Sequence, residues 1–242
     1  MIAKFKYRDS LLPASLAFVA LILMVVVGCV TNPETGKRSF VLMPEGTVNQ
    51  MAVEAYQEQA SQETMSTNAR WNAIVARVAT RISQAAEARA KEKGAALNYQ
   101  WECKLVESNQ VNAFCMPGGK MMVSTGILPV CQNEASLAFV MGHEVGHAVA
   151  QHGRQRMSQA LIVNAGLQVA DISFQNSEHH DLIVQSLGMG TQLGVLKYSR
   201  DHESEADFMG LRYMAVAGYD PSVGPDFWRR MRAWGGQKPP AF

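Results

Sequence analysis

The chain has 242 residues, which is enough to bury one sizeable hydrophobic core or two small ones. Its hydrophobic fraction of 48% and charged fraction of 18% are those of an ordinary globular protein. The net charge of +1, without a basic stripe, excludes nucleic acid as the expected partner.

The beginning of the chain has the features of a bacterial export signal. Basic side chains occur within residues 1–10, and an apolar stretch covers residues 11–27. The stretch ends in Gly28-Cys29, which resembles a lipobox and predicts cleavage after Gly28, with a lipid on Cys29. Val30 stands where an inner-membrane retention signal would have aspartate, so resemblance to other lipoproteins implies the periplasmic face of the outer membrane. The alternative is an uncleaved transmembrane anchor, since roughly 18 apolar residues nearly suffice to span a bilayer.

The remainder of the chain is mainly helical, with one strand-rich region. A turn-rich tether follows Cys29 as far as residue 45. Helical spacing of apolar residues predicts helices over residues 46–66, 68–93, 133–157, 201–217 and 221–234, with one or two more within 158–197. Alternation predicts strands over residues 99–106, 111–116 and 120–125, the last two joined by a turn at Pro117-Gly118-Gly119. The prediction is therefore a single α+β domain, mainly helical, with a small sheet.

Three cysteines follow the proposed lipidation site. In an oxidising compartment Cys103, Cys115 and Cys131 allow one disulfide and leave one thiol over. Cys103 and Cys115 lie in neighbouring predicted strands and are the first pair to test. The alternative is that all three are buried as small apolar side chains.

The histidines point to a metal centre. All six fall between residues 143 and 202, and His143-Glu144-Val145-Gly146-His147 contains the pattern His-Glu-x-x-His. On a helix, positions i and i+4 lie on one face, so both imidazoles point at the same spot, where two neutral histidines can hold zinc. Glu144 stands beside them as a general base for the hydrolysis of a peptide bond. Helical clustering by chance is the alternative.

A catalytic zinc needs a third protein ligand. The extended pattern with glycine three and histidine six residues after His147 is excluded, because Ala150 and Gly153 stand there. On a continuous helix His152 points to the far side, which predicts a surface histidine.

The predicted helix over 201–217 offers a better ligand. Glu203 and Asp207 are four residues apart, so Glu203 can complete the site and Asp207 can orient a ligand imidazole. Small residues let the two helices approach closely: Gly142, Gly146, Ala206 and Gly210. The alternative for Glu203 and Asp207 is a solvated acidic helix face.

These motifs together resemble a known family. The segment 143–147, Ser199-Arg200 and Glu203-x-x-x-Asp207 followed by Gly210 are similar to the HtpX and CAAX-prenyl-protease family, peptidase family M48. Two further motifs resemble its soluble bacterial lipoprotein branch and the mitochondrial Oma-type relatives. They are Asn112-Ala113-Phe114 with Pro117-Gly118-Gly119, and Asn32-Pro33 with Thr35-Gly36.

The resemblance implies a gluzincin (zincin-like) metalloprotease fold with a small sheet beside the active-site helix. It implies one zinc ion per chain, bound by His143, His147 and Glu203, with Glu144 as catalytic base and Asp207 orienting a ligand. Candidate transition-state donors are Arg200, Tyr198 and His202.

An extended substrate is expected to add to a sheet edge formed by residues 111–116, which include Asn112, Ala113 and Phe114, or by residues 120–125. Residues 182–196 are read either as a lid or as a packing helix. The resemblance implies substrates that are unfolded or misassembled envelope proteins, with outer-membrane assembly machinery as a candidate partner. A membrane-tethered chaperone that uses the same groove without cleavage is the alternative function.

The expected organisation is a signal peptide over residues 1–28, a lipidated tether over 29–45 and a zinc metalloprotease domain over 46–242. Family members usually continue past a region like Lys238-Pro239-Pro240 into a Ser-Thr-His-Pro segment, whereas this sequence stops at Phe242. Either the sequence is truncated or regulation by that histidine is absent.

Overall fold

The computed structural model describes residues 28–174 and 199–235. The predicted signal peptide before Gly28, the predicted lid at 182–196 and Tyr198 lie outside these residues. Five strands are described: β1 (Cys29–Thr31), β2 (Arg38–Phe40), β3 (Glu102–Val106), β4 (Ala113–Met116) and β5 (Lys120–Ser124). The helices are α1 (Glu45–Gln62), α2 (Ala69–Glu92), α3 (Leu128–Cys131), α4 (Glu134–Val149), α5 (His152–Phe174), α6 (residues 199–216) and α7 (Gly224–Ala233). Short 3₁₀ turns precede α3 and α7, at Thr125–Ile127 and Pro221–Val223.

Helix α4 lies at the centre of the protein because most of its residues are buried and the majority of the buried side chains are apolar. It packs against α2 on one side and against β4 on another. Its start follows the predicted cap, since the Asn133 side chain accepts a hydrogen bond from the Ser136 backbone N–H at 2.8 Å. Among the described residues, no helix combines the length and the apolar character that crossing a membrane would require.

The three-stranded sheet has the order β3-β5-β4, with β3 parallel and β4 antiparallel to β5. The tight turn between β4 and β5 uses Gly118 and Gly119, which have φ values of 81° and 89°. Because β5 is paired on both sides, the prediction that residues 120–125 could form the substrate-binding edge is wrong. Strand β4 has a strand partner on one side only within the described residues.

The sheet register also rules out a disulfide between the first pair to test. Cys103 and Cys115 both lie opposite Met121, one on each side of β5. Their Cα atoms are therefore two strand spacings apart, roughly 9–10 Å, whereas a disulfide spans at most about 7 Å. No disulfide joins them in the described part of the chain. The alternative of three buried thiols holds for Cys115 and Cys131, whereas Cys103 is partly buried.

The predicted helix over 133–157 is interrupted, and this changes the site. Gln151 adopts a left-handed backbone conformation, with φ at 58°, so that α4 stops and α5 starts in a new direction at His152. In a continuous helix His152 would lie about 140° around the axis from His147. The break instead turns the imidazole of His152 back towards His147.

The tether predicted over residues 29–45 contains an ordered hairpin. Strands β1 and β2 pair in antiparallel register, with Val30 opposite Ser39. The turn between them is closed by Asn32, whose backbone N–H donates to the carbonyl of Lys37 at 2.8 Å. Glu34, buried at 2% side-chain exposure, forms ion pairs with Arg89 of α2 and Arg212 of α6, both at 3.0 Å. The hairpin is thus packed against the helical domain.

Candidate metal centre

Helices α4 and α6 cross at a contact made mainly of small residues, with the Cβ of Met209 beside Gly146. A Cβ on Gly142 would lie 2.9 Å from the carbonyl oxygen of Gly210, and one on Gly146 would lie 3.0 Å from that of Ala206. The backbones can therefore touch only because these positions carry little or no side chain, as predicted. This contact places the histidines of α4 beside the acidic residues of α6.

Three side chains converge at the crossing. The Nε2 atoms of His143 and His147 are 3.1 Å apart, and Glu203 oxygens lie 3.8 and 3.4 Å from them, respectively. Ligands at tetrahedral zinc distances are separated by roughly 3.4 Å, so the donor set and its spacing fit zinc. Among the described residues, the grouping of His143, His147 and Glu203 offers one donor atom each within 4.8 Å of one another.

Asp207 contacts His143 at the ring nitrogen that faces away from Glu203. The Nδ1 atom of His143 lies 2.7 Å from Asp207 Oδ1, so an N–H at Nδ1 donates to the carboxylate and leaves Nε2 as a lone pair facing Glu203. Burial opposes protonation of His143, but the hydrogen bond to Asp207 and the neighbouring carboxylates of Glu144 and Glu203 outweigh it and raise its pKa. Protons therefore compete with a metal at this imidazole.

Burial shifts the pKa values of Glu144 and His147 in opposite directions. Burial raises the pKa of Glu144 to about 7, and repulsion from Glu203 adds to it, while His143 opposes it. Burial and the neighbouring His143 lower the pKa of His147 far below its ordinary value. The carboxyl can thus exchange a proton near neutral pH, and His147 stays in the neutral form that binds metal.

His152 is a residue whose position the sequence reasoning got wrong. The prediction of a surface histidine fails, because the side chain is fully buried and its Nδ1 lies 2.9 Å from Nδ1 of His147. Its Nε2 lies 3.3 Å from Glu205 Oε2. The helix periodicity was interpreted correctly up to Val149, but no local signal revealed the left-handed Gln151 that reorients His152.

Glu205 was also missed by the sequence analysis. Burial opposes its ionisation, but hydrogen bonds from His152, Thr35 and Lys37 outweigh that effect and lower its pKa to about 2. It is therefore a buried carboxylate between the hairpin and the histidines. Its position two residues after Glu203 was visible, but the partners from the hairpin are far away in sequence.

Two of the candidate transition-state donors, Arg200 and His202, lie among the described residues. His202 is fully buried and stacks on His152 with ring centroids 3.9 Å apart, on the Nδ1 side of His147. This position argues against a donor role at the substrate, because substrate must approach from the Nε2 side. Arg200 is exposed, and Tyr198 lies outside the described residues.

A different cation, Arg156 of α5, lies close enough to the site for its charge to interact with the carboxylates there. Burial lowers its pKa, and the carboxylates of Glu203 and Glu144 oppose that shift. One of its guanidinium nitrogens, Nη2, is buried without a hydrogen-bond partner in the described part of the chain. Nothing in the sequence singles out Arg156 beyond its position one helical turn after His152.

A cleft lies beside Asp207 and Trp228, both neighbours of His143, and strand β4 packs against α4. The cleft has a volume of about 420 Å³. It is lined by the apolar side chains of Phe139, Leu211 and Trp228 and by the charged side chains of Asp207, Arg229 and Arg232. The Trp228 ring packs 5.7 Å from the His143 ring. Ala113 and Phe114 belong to β4, which packs against α4, and Asn112 precedes them.

The fold and this geometry define a class of protein. Two histidines and a glutamate on one helix, completed by a glutamate from a second helix, are the arrangement of a zincin-like metallopeptidase. The model of peptidase family M48 matches residues 72–240, and the chain belongs to this family of zinc metallopeptidases.

Several characterised proteins are similar to the chain. The mitochondrial metalloendopeptidase OMA1 of Schizosaccharomyces pombe is 36% identical over 138 residues, which cover 57% of this chain and 40% of that protein. The Arabidopsis thaliana protein of the same name is 37% identical over 136 residues, covering 56% and 27%. The beta-barrel assembly-enhancing protease of Escherichia coli is 25% identical over 132 residues, covering 52% and 27%. The matched region thus spans less than half the length of each relative.

Proposed function

We propose that this protein is a zinc-dependent endopeptidase that hydrolyses unfolded or misassembled proteins of the bacterial cell envelope. The observation that carries the proposal is the convergence of His143, His147 and Glu203 next to Glu144. Membership of a family of zinc metallopeptidases supports it, as do relatives named for metalloendopeptidase activity and for beta-barrel assembly.

The residues of the chain divide the catalytic work. Zinc held by the three donors would supply a Lewis acid that polarises the scissile carbonyl and promotes the ionisation of water. Glu144 accepts the proton of the attacking water and returns it to the leaving amine, because its pKa of about 7 makes both transfers accessible near neutral pH. Asp207 keeps His143 in the tautomer whose Nε2 lone pair faces the metal position.

The surroundings of the site suit an extended polypeptide. A substrate strand can add to β4 at Asn112, Ala113 and Phe114, where main-chain hydrogen bonds provide affinity without sequence selectivity. The neighbouring cleft has an apolar wall formed by Phe139, Leu211 and Trp228, next to the charged Asp207, Arg229 and Arg232, and a side chain of that strand can pack on the apolar wall. Unfolded proteins expose both free strands and apolar side chains, which supports them as substrates.

The test compares three glutamate variants of the full chain. Glu144→Gln is expected to keep one zinc per chain and to lose cleavage of unfolded outer-membrane protein by at least about 100-fold. Glu203→Ala is expected to lose zinc, and Glu58→Gln, on the exposed face of α1, to behave as wild type. A wild type that holds no zinc would refute the proposal. If Glu144→Gln restored envelope function in cells as well as wild type, the chaperone function would be favoured instead.

Membrane attachment through Cys29 is part of the same proposal. The sequence Gly28-Cys29 after an apolar stretch supports it, as does the position of Cys29 at the first residue of β1. The proposal places the protein on the periplasmic face of the outer membrane. Metabolic labelling with a fatty acid should mark wild type and not Cys29→Ser, and incorporation into both proteins would contradict it.

A further inference from the structure

We infer that the β1–β2 hairpin contributes to the metal centre, because its hydrogen bonds to Glu205 position the imidazole of His147 through His152. The inference rests on the proposed function, since it concerns the same metal position. It assigns roles to residues of the N-terminal segment that the catalytic motifs do not include. His152 and Glu205 are positioning residues in this arrangement, since they act on the site through His147.

His147, His152 and Glu205 are joined by hydrogen bonds that all run in one direction. For Nε2 of His147 to offer a lone pair to a metal, its proton must be on Nδ1, which lies 2.9 Å from Nδ1 of His152. His152 must then accept at Nδ1 and carry its own proton on Nε2, which lies 3.3 Å from the Glu205 carboxylate. One tautomer of each histidine therefore satisfies every contact. Because these hydrogen bonds run from His147 through His152 to the Glu205 carboxylate, they increase the electron density at the Nε2 atom of His147.

The outer part of the connection comes from the hairpin. Asn32 Nδ2 donates to Glu205 Oε1 at 2.7 Å, and Thr35 Oγ1 donates to the same oxygen at 2.6 Å. Lys37 Nζ donates to Oε2 at 3.0 Å. All three donors belong to the turn between β1 and β2 and its flanks. The hairpin thus supplies the hydrogen bonds and the positive charge that keep Glu205 ionised and aligned with His152.

The plane of the His152 ring is fixed as well. The His202 ring stacks on it at an interplanar angle of 14°, and Nε2 of His202 lies 3.0 Å from Gln155 Oε1. Gln155 in turn donates to the carbonyl of Ala150 at 2.6 Å, which ties the arrangement to the end of α4. Because His152 and His202 are both fully buried, these contacts are not exchanged for water.

Each of the two ligand histidines therefore has its own carboxylate support. His143 donates directly to Asp207, whereas His147 reaches Glu205 through His152. Helix α6 carries Glu203, Glu205 and Asp207, so it contributes one donor to the metal position and both supports. In the part of the chain that the structure describes, it is the support of His147 that extends to the segment carrying Cys29.

The first test measures zinc affinity by competition with a chelator, using full-length protein. Glu205→Gln keeps the size of the side chain but loses the charge, and it should weaken zinc binding by about 10- to 100-fold. Glu34→Gln is the matched control, because Glu34 holds the same hairpin through Arg89 and Arg212 without touching His152. It is expected to lower the unfolding temperature while its zinc affinity stays close to that of wild type.

The second test separates hydrogen bonding from general packing. His152→Asn keeps an acceptor near the position of Nδ1, whereas His152→Leu keeps none, so zinc affinity should fall in the order wild type, Asn, Leu. Lys37→Met should weaken zinc binding more than Arg38→Met, because Lys37 donates a hydrogen bond to Glu205, whereas Arg38 is exposed. The visible spectrum of cobalt-substituted protein should change in Glu205→Gln and stay unchanged in Arg38→Met.

Three outcomes would overturn the inference. Zinc affinity and cobalt spectrum of Glu205→Gln equal to those of wild type would show that the connection does not reach His147. Equal losses of affinity in Glu34→Gln and Glu205→Gln would show that hairpin packing, and not the hydrogen-bond chain, matters. A wild type that bound no zinc would refute the proposed function and this inference with it.

Discussion

The Cα atom of Gly210 lies so close to the active-site helix that a methyl group there would be 2.6 Å from the backbone nitrogen of His143. No real Cβ tolerates such a distance to backbone, so an alanine at this position must separate the two helices. The consequence reaches the metal centre directly, because α4 carries His143 and His147 and α6 carries Glu203.

Gly210→Ala is expected to destabilise the protein by about 1–3 kcal/mol and to lower its zinc content by moving Glu203 away from the histidines. Gly166→Ala is the matched control, because Gly166 is an exposed helical glycine with no atom near the added methyl group. Its free energy of unfolding should stay equal or rise by about 0.5–1 kcal/mol. The measurements are denaturant unfolding and zinc per chain. Normal zinc content in Gly210→Ala would show that the contact does not set the ligand geometry.

Asp207→Asn is expected to weaken zinc binding by about 10- to 100-fold, because His143 loses its charged partner. The carboxylate also helps to raise the pKa of His143, so in wild type the proton competes with zinc up to a higher pH than in the variant. Below the pKa, apparent affinity should fall by about tenfold per pH unit for each proton displaced. The onset of this fall should move to lower pH in Asp207→Asn.

The matched control for this prediction is Asp226→Asn, because Asp226 is exposed and pairs with Arg229 at the surface. Its zinc affinity should follow the wild-type curve over the whole pH range. An unchanged onset in Asp207→Asn would mean that the hydrogen bond to His143 contributes nothing to its protonation.

The comparison of sequence and structure shows what periodicity can and cannot predict. Spacing of i and i+4 within a helix correctly placed His143 with His147 on one face, because helix geometry is local. The close approach of α4 and α6 was also predicted, from glycines and alanine in register. The sheet required only local alternation and a Pro-Gly-Gly turn. These features need no knowledge of distant residues.

The errors have a common physical origin in single backbone angles and long-range contacts. Gln151 carries no glycine-like signal for a positive φ, yet that angle decides whether His152 faces solvent or His147. Likewise, nothing in residues 32–37 predicts that they contact Glu205, because the partners are about 170 positions apart in the chain. Strand order also decided which edge is open, and alternation alone does not determine it.

Glu134 is expected to make stability depend on pH in the acid range. The hydrogen bond from Arg77, 3.0 Å from Nε, and a second from the Tyr219 hydroxyl at 2.7 Å lower the pKa of Glu134, although burial opposes them. A lowered pKa in the folded state means that the stabilisation is complete above the unfolded value of about 4.3. It is lost as the pH falls through the folded pKa.

The check compares the free energy of unfolding of wild type and Glu134→Gln at a series of pH values. The difference should be largest near neutral pH and should shrink towards zero as the carboxylate becomes protonated. Glu58→Gln, which replaces an exposed glutamate of α1, should differ little from wild type throughout. A constant difference for Glu134→Gln across the range would contradict the ion-pair explanation.

The thiols of the core are expected to be unreactive and unpaired with one another. Burial raises the pKa of Cys103 and of Cys131 to about 12 and that of Cys115 well above its ordinary value, so little thiolate forms. A thiol reagent at mildly alkaline pH should therefore leave all three unmodified in the folded protein. In denaturant without reductant, mass spectrometry should find all three labelled, because β5 separates Cys103 from Cys115. If one cysteine stayed unlabelled even after reduction, irreversible oxidation of that thiol would be the explanation. If Cys103 and Cys115 were labelled only after reduction, they would form a disulfide, and the sheet register described above would be wrong.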